Sequence, residues 1–219
     1  MKRTIITTAD GSTTIQIEDW NEQYHSKHGA IQEAYHVFIK HGLSLFPDRK
    51  INLLEIGFGT GLNAFITFLE TPKLNISVNY TGVEAFPISH QELRHLNYVS
   101  ELSAEDHAFE FQRMHEGEWD QDIELTEDFI LLKQQKNFSE IADENQYDLV
   151  YFDAFSPRVQ PELWTEAIFS KMYRALKKGG MLTTYSAKGS ARRAMQAVGF
   201  TVERLPGPPG KREMLRATK

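Results

Sequence analysis

A short apolar strand, a glycine-rich turn and a helix follow one another over residues 51–70, and this succession constrains the fold more than any other feature. The strand is Ile51-Asn52-Leu53-Leu54-Glu55-Ile56 and the turn is Gly57-Phe58-Gly59-Thr60-Gly61. Glycine lets the backbone turn sharply and lets a ligand approach it closely. Strands and helices then alternate toward the C-terminus. This order predicts a parallel sheet covered by helices on both faces, with ligands at the carboxyl ends of the strands.

The element boundaries follow from periodicity and from glycine and proline positions. The predicted strands cover residues 51–56, 76–84, 123–126, 147–153, 181–185, 201–205 and 213–217. The predicted helices cover residues 62–70, 88–96, 162–177 and 190–198, and another begins at residue 129 and reaches residue 134. Residues 4–17 predict a hairpin with Asp10-Gly11 at its turn. We therefore expect an N-terminal hairpin and helical extension over residues 1–50 and a Rossmann-like domain over residues 51–219.

The composition excludes several classes of protein. The 219 residues include no cysteine, which rules out a disulfide scaffold, a thiolate zinc site and a cysteine nucleophile. It also fits a reducing compartment, so we expect a cytoplasmic protein. No apolar run approaches the ~20 residues of a membrane span, and the N-terminus lacks the apolar core of a secretory signal. His25 and His28 have no third ligand at a suitable spacing, so we expect no metal.

Charge is unevenly distributed along the chain. Residues 1–170 hold 12 Lys/Arg and 28 Asp/Glu, a balance of −16, whereas residues 171–219 hold 12 and 2, a balance of +10, which together give the net −6. Two interpretations remain open: an anionic partner at the basic end, or attraction between the two parts of the fold.

The spacing of the glycines distinguishes two classes of nucleotide ligand. The nicotinamide fingerprint is G-x-G-x-x-G, and its third glycine would fall at Leu62, so that pattern fails. The pattern here is G-x-G-x-G preceded by Glu55, which resembles the first motif of class I S-adenosylmethionine-dependent methyltransferases. The resemblance implies S-adenosylmethionine as cofactor. It also implies that the cofactor is held by this segment, namely by Glu55, Gly57, Phe58, Gly59, Thr60, Gly61 and Asn63.

Three further acidic residues lie at the ends of predicted strands or just after them. Glu84 ends the second strand, 23 residues after Gly61, where a carboxylate can accept both hydroxyl protons of a ribose. Asp128 follows the third strand and is a candidate acceptor for an adenine amino group, although it also suits a helix N-cap. Asp153 ends the clearest strand, in the position of methyl-acceptor chemistry, with a turn or capping role as its alternative.

A more specific resemblance appears when separated segments are taken together. The segments are Leu54-Glu55-Ile56-Gly57-Phe58-Gly59-Thr60-Gly61-Leu62-Asn63, Glu84-Ala85-Phe86-Pro87, Phe152-Asp153-Ala154-Phe155-Ser156-Pro157 and Gly210-Lys211-Arg212-Glu213-Met214. From about residue 22 onward the chain resembles the methyltransferase domain of MnmC, a family of bifunctional tRNA wobble-uridine modification enzymes. The resemblance implies methyl transfer to the primary amine of 5-aminomethyl-(2-thio)uridine in the tRNA anticodon loop. With no room for the family's FAD-dependent domain, the chain resembles a stand-alone methyltransferase form.

The implied chemistry assigns further roles. An alkyl amine is mostly protonated near neutral pH, so Asp153 is the candidate to orient the amine and to receive or relay its proton. Phe58, Phe86 and Phe155 are candidates to line the cleft, with plain core packing as their alternative. Tyr24 and Glu33 are plausible pocket residues. The candidate contacts to tRNA phosphates are Lys177, Lys178, Lys188, Arg192, Arg193, Lys211 and Arg212.

Other functions stay open on the sequence alone. One is an S-adenosylmethionine-dependent transferase for a small amine, including aminopropyl transfer. Another is an idle domain that only binds a nucleoside or tRNA. The basic tail disfavours the first, and Asp153 at a strand end disfavours the second. A nicotinamide oxidoreductase is the weakest alternative because its glycine spacing is absent.

Overall fold

A computed structural model describes residues 2–219 as a mixed α/β structure. The strands are β1 (Arg3–Thr7), β2 (Thr13–Ile17), β3 (Glu22–Gln23), β4 (Lys50–Ile56), β5 (Ser77–Glu84), β6 (Asp122–Thr126), β7 (Phe129–Gln135), β8 (Tyr147–Phe152), β9 (Leu176–Thr184), β10 (Thr201–Pro206) and β11 (Glu213–Thr218). The α-helices are α1 (Ala30–Ala34), α2 (Leu62–Glu70), α3 (His90–Leu93), α4 (Tyr98–Glu101), α5 (Ala108–Glu116), α6 (Glu166–Ala175) and α7 (Gly189–Ala197). Helix α1 continues as a π-helix over Tyr35–Lys40.

The main sheet has eight strands in the order β10-β11-β9-β8-β4-β5-β7-β6. Strand β4 is parallel to β5 and β8, β5 is parallel to β7, and β8 is parallel to β9. The carboxyl ends of these five strands therefore lie along one edge, here named the carboxyl edge. All six residues of β8 are buried, as expected for a parallel strand covered on both faces. The predicted fold class is confirmed, including the N-terminal hairpin of β1 and β2.

The strand order reverses beside β4. From β4 the chain crosses to β5 on one side, and it later returns to β8 on the other side. Ligands of open α/β sheets bind at such a switch point, outside the carboxyl ends of the strands. The glycine-rich turn follows β4 and Asp153 follows β8, so this topology brings the two predicted motifs to one place.

Two predicted elements are wrong. Residues 129–134 form strand β7 instead of a helix, and β7 pairs with β6 as a hairpin. Alternate residues of β7, beginning with Phe129, are buried, which is the two-residue period of a strand. The helix predicted over residues 162–177 ends at Ala175, and β9 begins at the next residue. Gly179 and Gly180 consequently lie inside β9, beside a register shift, and do not stop the helix.

The N-terminal extension packs against the main sheet. Strands β1, β2 and β3 form a separate three-stranded antiparallel sheet. The ring of Phe38 in the π-helical turn lies 4.8 Å from that of Tyr151 in β8. Strand β2 also contacts the segment between α3 and α4, where Asn97 Oδ1 accepts a 2.7 Å hydrogen bond from the Thr13 backbone N–H. In residues 2–219 no helix is long and apolar enough to cross a membrane.

Candidate active site

A cavity of about 1140 Å³ opens at the carboxyl edge of the main sheet. One part of its wall comes from the segments that follow β4, β5 and β7. The opposite part comes from the segment after β8, from the N-terminal extension and from the loop between β10 and β11. The cofactor side, as we name the first part, includes Gly57, Phe58, Gly59, Glu84 and Asn137. The acceptor side, the second part, includes Trp20, Tyr24, Glu33, Asp153, Phe155, Tyr185 and Lys211.

Close backbone packing holds the glycine-rich turn. Gly57 has a φ of +92°, and a Cβ atom there would lie 2.7 Å from the carbonyl oxygen of Asp153. The backbone N–H groups of Gly57 and Phe58 donate to the carbonyl of Val83 at 3.0 and 3.1 Å. The turn is therefore pinned between the ends of β5 and β8, and only glycine suits its first position.

The predicted cofactor residues of the turn fall into two groups. Gly57, Phe58, Gly59 and Asn63 line the cavity. Glu55, Thr60 and Gly61 are not part of its wall. Glu55 and Thr60 are buried beneath the turn. The Thr60 hydroxyl accepts a 3.0 Å hydrogen bond from Tyr98, so Thr60 supports the turn from below.

Glu84 lines the cavity at the end of β5, as its sequence position predicts. Its Oε2 accepts from the Gly59 backbone N–H at 3.1 Å, and its Oε1 accepts from the Phe86 backbone N–H at 2.9 Å. These bonds fix the carboxylate beside the glycine-rich turn. Each carboxylate oxygen can accept further hydrogen bonds, so Glu84 remains able to accept from ligand hydroxyls.

Asp128 is not at the site, which corrects the prediction for this residue. It precedes β7, and β7 runs parallel to β5 with Phe129 opposite Val78. Asp128 therefore lies at the amino edge of the sheet, opposite the cavity, where its Oδ1 accepts from the Ser77 hydroxyl at 2.5 Å. The prediction for Asp128 assumed a helix over residues 129–134. These residues form strand β7 instead, which brings residues 137–139 to the cavity in place of Asp128.

Asp153 lies at the junction of the two sides of the cavity. Its backbone N–H donates to the Ile56 carbonyl at 2.9 Å, and its Oδ2 accepts from Asn63 Nδ2 at 2.8 Å. The same nitrogen donates to Glu55 Oε1 at 2.9 Å, and Glu55 Oε2 accepts from the Tyr80 hydroxyl at 2.8 Å. Asn63 thus links a buried carboxylate to the carboxylate that lines the cavity.

The surroundings of Asp153 change its proton affinity. Burial and the negative charge of Glu33 raise the pKa of Asp153 to about 7, although the Asn63 hydrogen bond and the Lys211 charge act in the opposite direction. Burial also raises the pKa of Glu55 well above its usual range. An aspartate with a pKa near neutrality exchanges protons far more readily with an amine than an ordinary aspartate does.

The segment before α1 covers the acceptor side. The Phe155 ring makes edge contacts with Tyr24 at 5.0 Å and Trp20 at 5.6 Å between centroids. The guanidinium of Arg158 donates to the Trp20 carbonyl at 3.1 Å and pairs with Glu22. The plausible pocket residue Tyr24 lies in this wall, but sequence reasoning missed Trp20 and Glu22, because this irregular segment carries no periodic signal.

Lys211 and Glu33 meet on the acceptor side. The Lys211 ammonium pairs with the Glu33 carboxylate and lies 3.9 Å from the centroid of the Tyr185 ring. The Ser26 backbone N–H donates to the other Glu33 oxygen at 3.1 Å. The Tyr185 hydroxyl donates to the Ala154 carbonyl at 2.8 Å, beside Asp153. The structure therefore places Lys211 inside the cavity wall, whereas the sequence suggested only a surface contact.

The predicted basic footprint does not form one surface. Lys177 and Lys178 lie at the start of β9, at the amino edge opposite the cavity, and Lys177 pairs with Asp148 at 2.7 Å. Lys188, Arg193 and Arg212 are exposed and follow strands that end at or near the carboxyl edge. Arg192 is partly buried. The basic residues of the C-terminal part of the chain are thus divided between the two edges of the sheet.

The histidines form no metal centre in the part of the chain that the structure describes. No group of three or more potential ligand side chains among residues 2–219 is arranged to hold a metal ion. His25 is instead bonded to the Thr14 hydroxyl at 2.9 Å. Burial lowers the pKa of His25 to about 4, so this imidazole is neutral at physiological pH.

Curated relatives are similar to this chain over most of its length. The tRNA 5-methylaminomethyl-2-thiouridine biosynthesis bifunctional protein MnmC of Hydrogenovibrio crunogenus is 30% identical over 213 residues, covering 89% of this chain and 31% of that protein. The protein of the same name from Nitrosospira multiformis is 30% identical over 215 residues, covering 90% of this chain and 34% of that protein. The chain therefore spans about a third of the length of these relatives.

Solved structures agree with the fold. The crystal structure of MNMC2 from Aquifex aeolicus matches with a TM-score of 0.79 and 26% identity, over 99% of this chain and 69% of that chain. Spermidine synthase from Thermotoga maritima matches with a TM-score of 0.55 and 13% identity, over 98% of this chain and 71% of that chain, which shows a common fold alone. A family model for S-adenosyl-L-methionine-dependent methyltransferases matches residues 101–219, more than half of the chain. With the glycine-rich turn and the switch-point cavity, this match establishes that the chain belongs to the S-adenosyl-L-methionine-dependent methyltransferases.

Proposed function

We propose that this chain transfers a methyl group from S-adenosylmethionine to the aminomethyl nitrogen of 5-aminomethyl-(2-thio)uridine at the wobble position of tRNA. The similarity to the tRNA 5-methylaminomethyl-2-thiouridine biosynthesis proteins MnmC and the match to MNMC2 support the substrate. The observation that carries the proposal is the Asp153 carboxylate, which has a pKa of about 7 and lies in the same cavity as the glycine-rich turn. Because this function requires access to tRNA, we also propose a cytoplasmic location for the protein.

The cofactor side fits S-adenosylmethionine. The absence of a side chain at Gly57 and Gly59 lets a ligand approach the backbone, and Glu84 offers a fixed carboxylate for ribose hydroxyls. When bound, the cofactor supplies an electrophilic methyl group on a sulfonium. At about 1140 Å³, the cavity exceeds the ~300–1,000 Å³ of most small-ligand sites. It therefore has room for a cofactor and an extruded nucleoside together.

Asp153 prepares the acceptor nitrogen. An alkyl ammonium has no free lone pair, and its proton must leave before the nitrogen can attack. Above pH 7 the Asp153 carboxylate is ionised and can accept that proton. The freed lone pair would then be available to the methyl group that a bound S-adenosylmethionine would supply. Asn63 holds Asp153 Oδ2 at 2.8 Å, which keeps the carboxylate oriented.

The tRNA is proposed to bind at the carboxyl edge. A wobble base must leave the anticodon stack to enter the cavity, and extruded bases stack on aromatic side chains. Trp20 and Phe155 on the acceptor side supply such rings. The exposed Lys188, Arg193 and Arg212 are the candidate phosphate contacts. In this arrangement residues 1–50 act as an appended unit that covers the acceptor side of the methyltransferase domain.

The test is a transfer assay with methyl-labelled S-adenosylmethionine. The acceptor is tRNA whose wobble uridines carry the free aminomethyl group, and the same tRNA with unmodified uridine is the control. We expect label only in 5-methylaminomethyl-(2-thio)uridine after digestion and mass analysis. Bound cofactor with no label on tRNA would reject the proposed function. That result would favour a small-molecule amine as acceptor, or a domain that only binds nucleosides.

A further inference from the structure

The acceptor side contains several carboxylates, two of which are paired with cations. Glu22, Glu33 and Asp153 all line it. The exposed guanidinium of Arg158 pairs with Glu22. Glu33 is only 7% exposed, and its partner is Lys211. A partly buried ion pair inside a cavity loses hydration on both charges, so its position there calls for a role beyond stability.

The Lys211 ammonium lies in a site suited to an alkylammonium group. It has a carboxylate on one side and the face of an aromatic ring on the other, with 3.9 Å between its nitrogen and the Tyr185 centroid. This distance lies within the ~6 Å range of cation–π attraction. The acceptor group of the proposed reaction, a methylene carrying a primary ammonium, is chemically the same as the end of a lysine side chain.

We propose that Glu33 and the face of Tyr185 bind the ammonium group of the acceptor nucleoside, and that Lys211 occupies this site until the acceptor displaces it. The proposal rests on the proposed function, because it names the group by which that acceptor is recognised. Tyr185 is hydrogen-bonded to the carbonyl of Ala154, the residue after Asp153. An ammonium held there lies near the carboxylate that takes its proton.

The steps balance. The acceptor ammonium replaces the Lys211 ammonium at Glu33, so the charge of the site does not change. One N–H bond of the acceptor then breaks as an O–H bond forms on Asp153. The freed lone pair would then form the bond to the methyl carbon of a bound S-adenosylmethionine, whose sulfur would keep the electron pair of the broken sulfur–carbon bond. Asp153 would later release its proton to water. Lys211 is on the loop between β10 and β11, beside the exposed Arg212, and when displaced it moves out of the cavity into solvent.

The direction of the change in KM distinguishes this role from a simple phosphate contact. Occupancy by Lys211 reduces the fraction of protein that is ready to bind the acceptor. Lys211→Ala should therefore lower the KM for aminomethyl tRNA, by about threefold or more, with kcat nearly unchanged. Glu33→Gln should raise that KM by about tenfold or more, because a hydrogen bond to a charged group is lost.

Two matched variants separate charge from position. Lys188→Ala removes an exposed cation at the start of α7 and should raise the KM, as loss of a phosphate contact does. Lys178→Ala removes an exposed cation at the amino edge and should leave both kcat and KM unchanged. Where Lys211→Ala melts below the assay temperature, Lys211→Met preserves the apolar stem and provides the same measurement.

A binding measurement avoids dependence on turnover. Fluorescence anisotropy with S-adenosylhomocysteine present compares tRNA that carries the aminomethyl group with the same tRNA bearing unmodified uridine. We expect Lys211→Ala to increase the preference for the aminomethyl form and Glu33→Gln to abolish it. A KM increase in Lys211→Ala like that of Lys188→Ala, or an unchanged preference in both variants, overturns the cation site. Failure of the proposed function is a different result, since wild-type protein would then label no tRNA.

Discussion

Asn63 Nδ2 donates a 2.8 Å hydrogen bond to Asp153 Oδ2, and the two residues come from opposite sides of the strand-order reversal. Asn63 is in the first turn of α2 and Asp153 follows β8. The bond therefore joins the motif expected to hold the cofactor to the carboxylate expected to act on the acceptor. It also favours the ionised form of Asp153 and opposes the effect of burial on its pKa.

The pH dependence of methyl transfer should report the ionisation of Asp153. Because its pKa is raised to about 7, the carboxylate is protonated below that pH and cannot accept a proton. We expect kcat/KM to fall about tenfold per pH unit below pH 7. Asp153→Asn should lower kcat by about 100-fold or more and remove this limb, with cofactor binding retained. A limb that persists in Asp153→Asn would assign the ionisation to another group.

Asn63→Ala should shift the same limb to higher pH. Loss of the donor removes a bond that favours ionised Asp153, so the pKa of Asp153 rises further. It also leaves one oxygen of the buried Glu55 carboxylate and one of the Asp153 carboxylate without this donor, which should cost about 1–3 kcal/mol of unfolding free energy. Thr67→Val is the control, since its buried hydroxyl donates at 2.7 Å to the carbonyl of Asn63 but not to a carboxylate. Urea unfolding and pH–rate profiles of both variants test this, and we expect no shift of the limb in Thr67→Val.

Cofactor affinity should depend on Glu84 and not on Asp128. Glu84→Gln keeps the size of the side chain but removes the charge that strengthens hydrogen bonds from ribose hydroxyls. We expect the Kd for S-adenosylhomocysteine, measured by titration calorimetry, to rise about tenfold or more. Asp128→Asn at the amino edge should leave it unchanged. Equal losses of affinity in the two variants would contradict the placement of Asp128 away from the cavity.

Two glycine substitutions distinguish the effect of backbone strain from the effect of a steric clash next to the site. Gly57→Ala and Gly179→Ala both place a side chain at positive φ, +92° and +79°. Only at Gly57 does the new Cβ meet another atom, the Asp153 carbonyl oxygen at 2.7 Å, whereas nothing lies within 4 Å of it at Gly179. We expect Gly57→Ala to lose cofactor binding and Gly179→Ala to retain it, with both less stable by about 1 kcal/mol or more. Retained binding in Gly57→Ala would show that the turn can shift.

Lys133 should give the protein a pH-dependent stability above neutrality. Its side chain is 1% exposed and donates to the carbonyls of His115 and Gly117 at 2.9 and 2.7 Å. Burial lowers its pKa from 10.5 to about 8. Between these values Lys133 binds more protons in the unfolded chain than in the folded one, so its contribution to the unfolding free energy should rise with pH.

A comparison with Lys133→Met isolates this contribution. The two proteins can differ in unfolding free energy at pH 7 for other reasons. As the pH increases from 8 to about 10.5, the unfolding free energy of wild type should rise relative to that of Lys133→Met. Urea titrations at several pH values measure it. A difference that does not change over this range would mean that Lys133 titrates alike in the folded and unfolded chains.

The local sequence determined the motifs and the residues that follow them. The apolar run that becomes β8 predicts a buried strand with Asp153 at its end, and the glycine-rich turn predicts a ligand loop after β4. Both follow from short-range rules, because backbone conformation and strand burial are encoded by neighbouring residues. The parallel sheet followed from the same local patterns, whereas the cofactor class followed from the resemblance of the glycine-rich segment to the first motif of class I S-adenosylmethionine-dependent methyltransferases.

The tertiary structure decided which of those residues share a site. The prediction for Asp128 is wrong because a run of four apolar residues suits a strand or the start of a helix, and only pairing with β5 selects the strand. Glu33 and Lys211 are 178 positions apart in the chain, and no local pattern relates an acidic residue in α1 to a lysine beside β11. Contacts of that range depend on how the elements pack, and this packing also turned an apparently exposed lysine into part of the cavity wall.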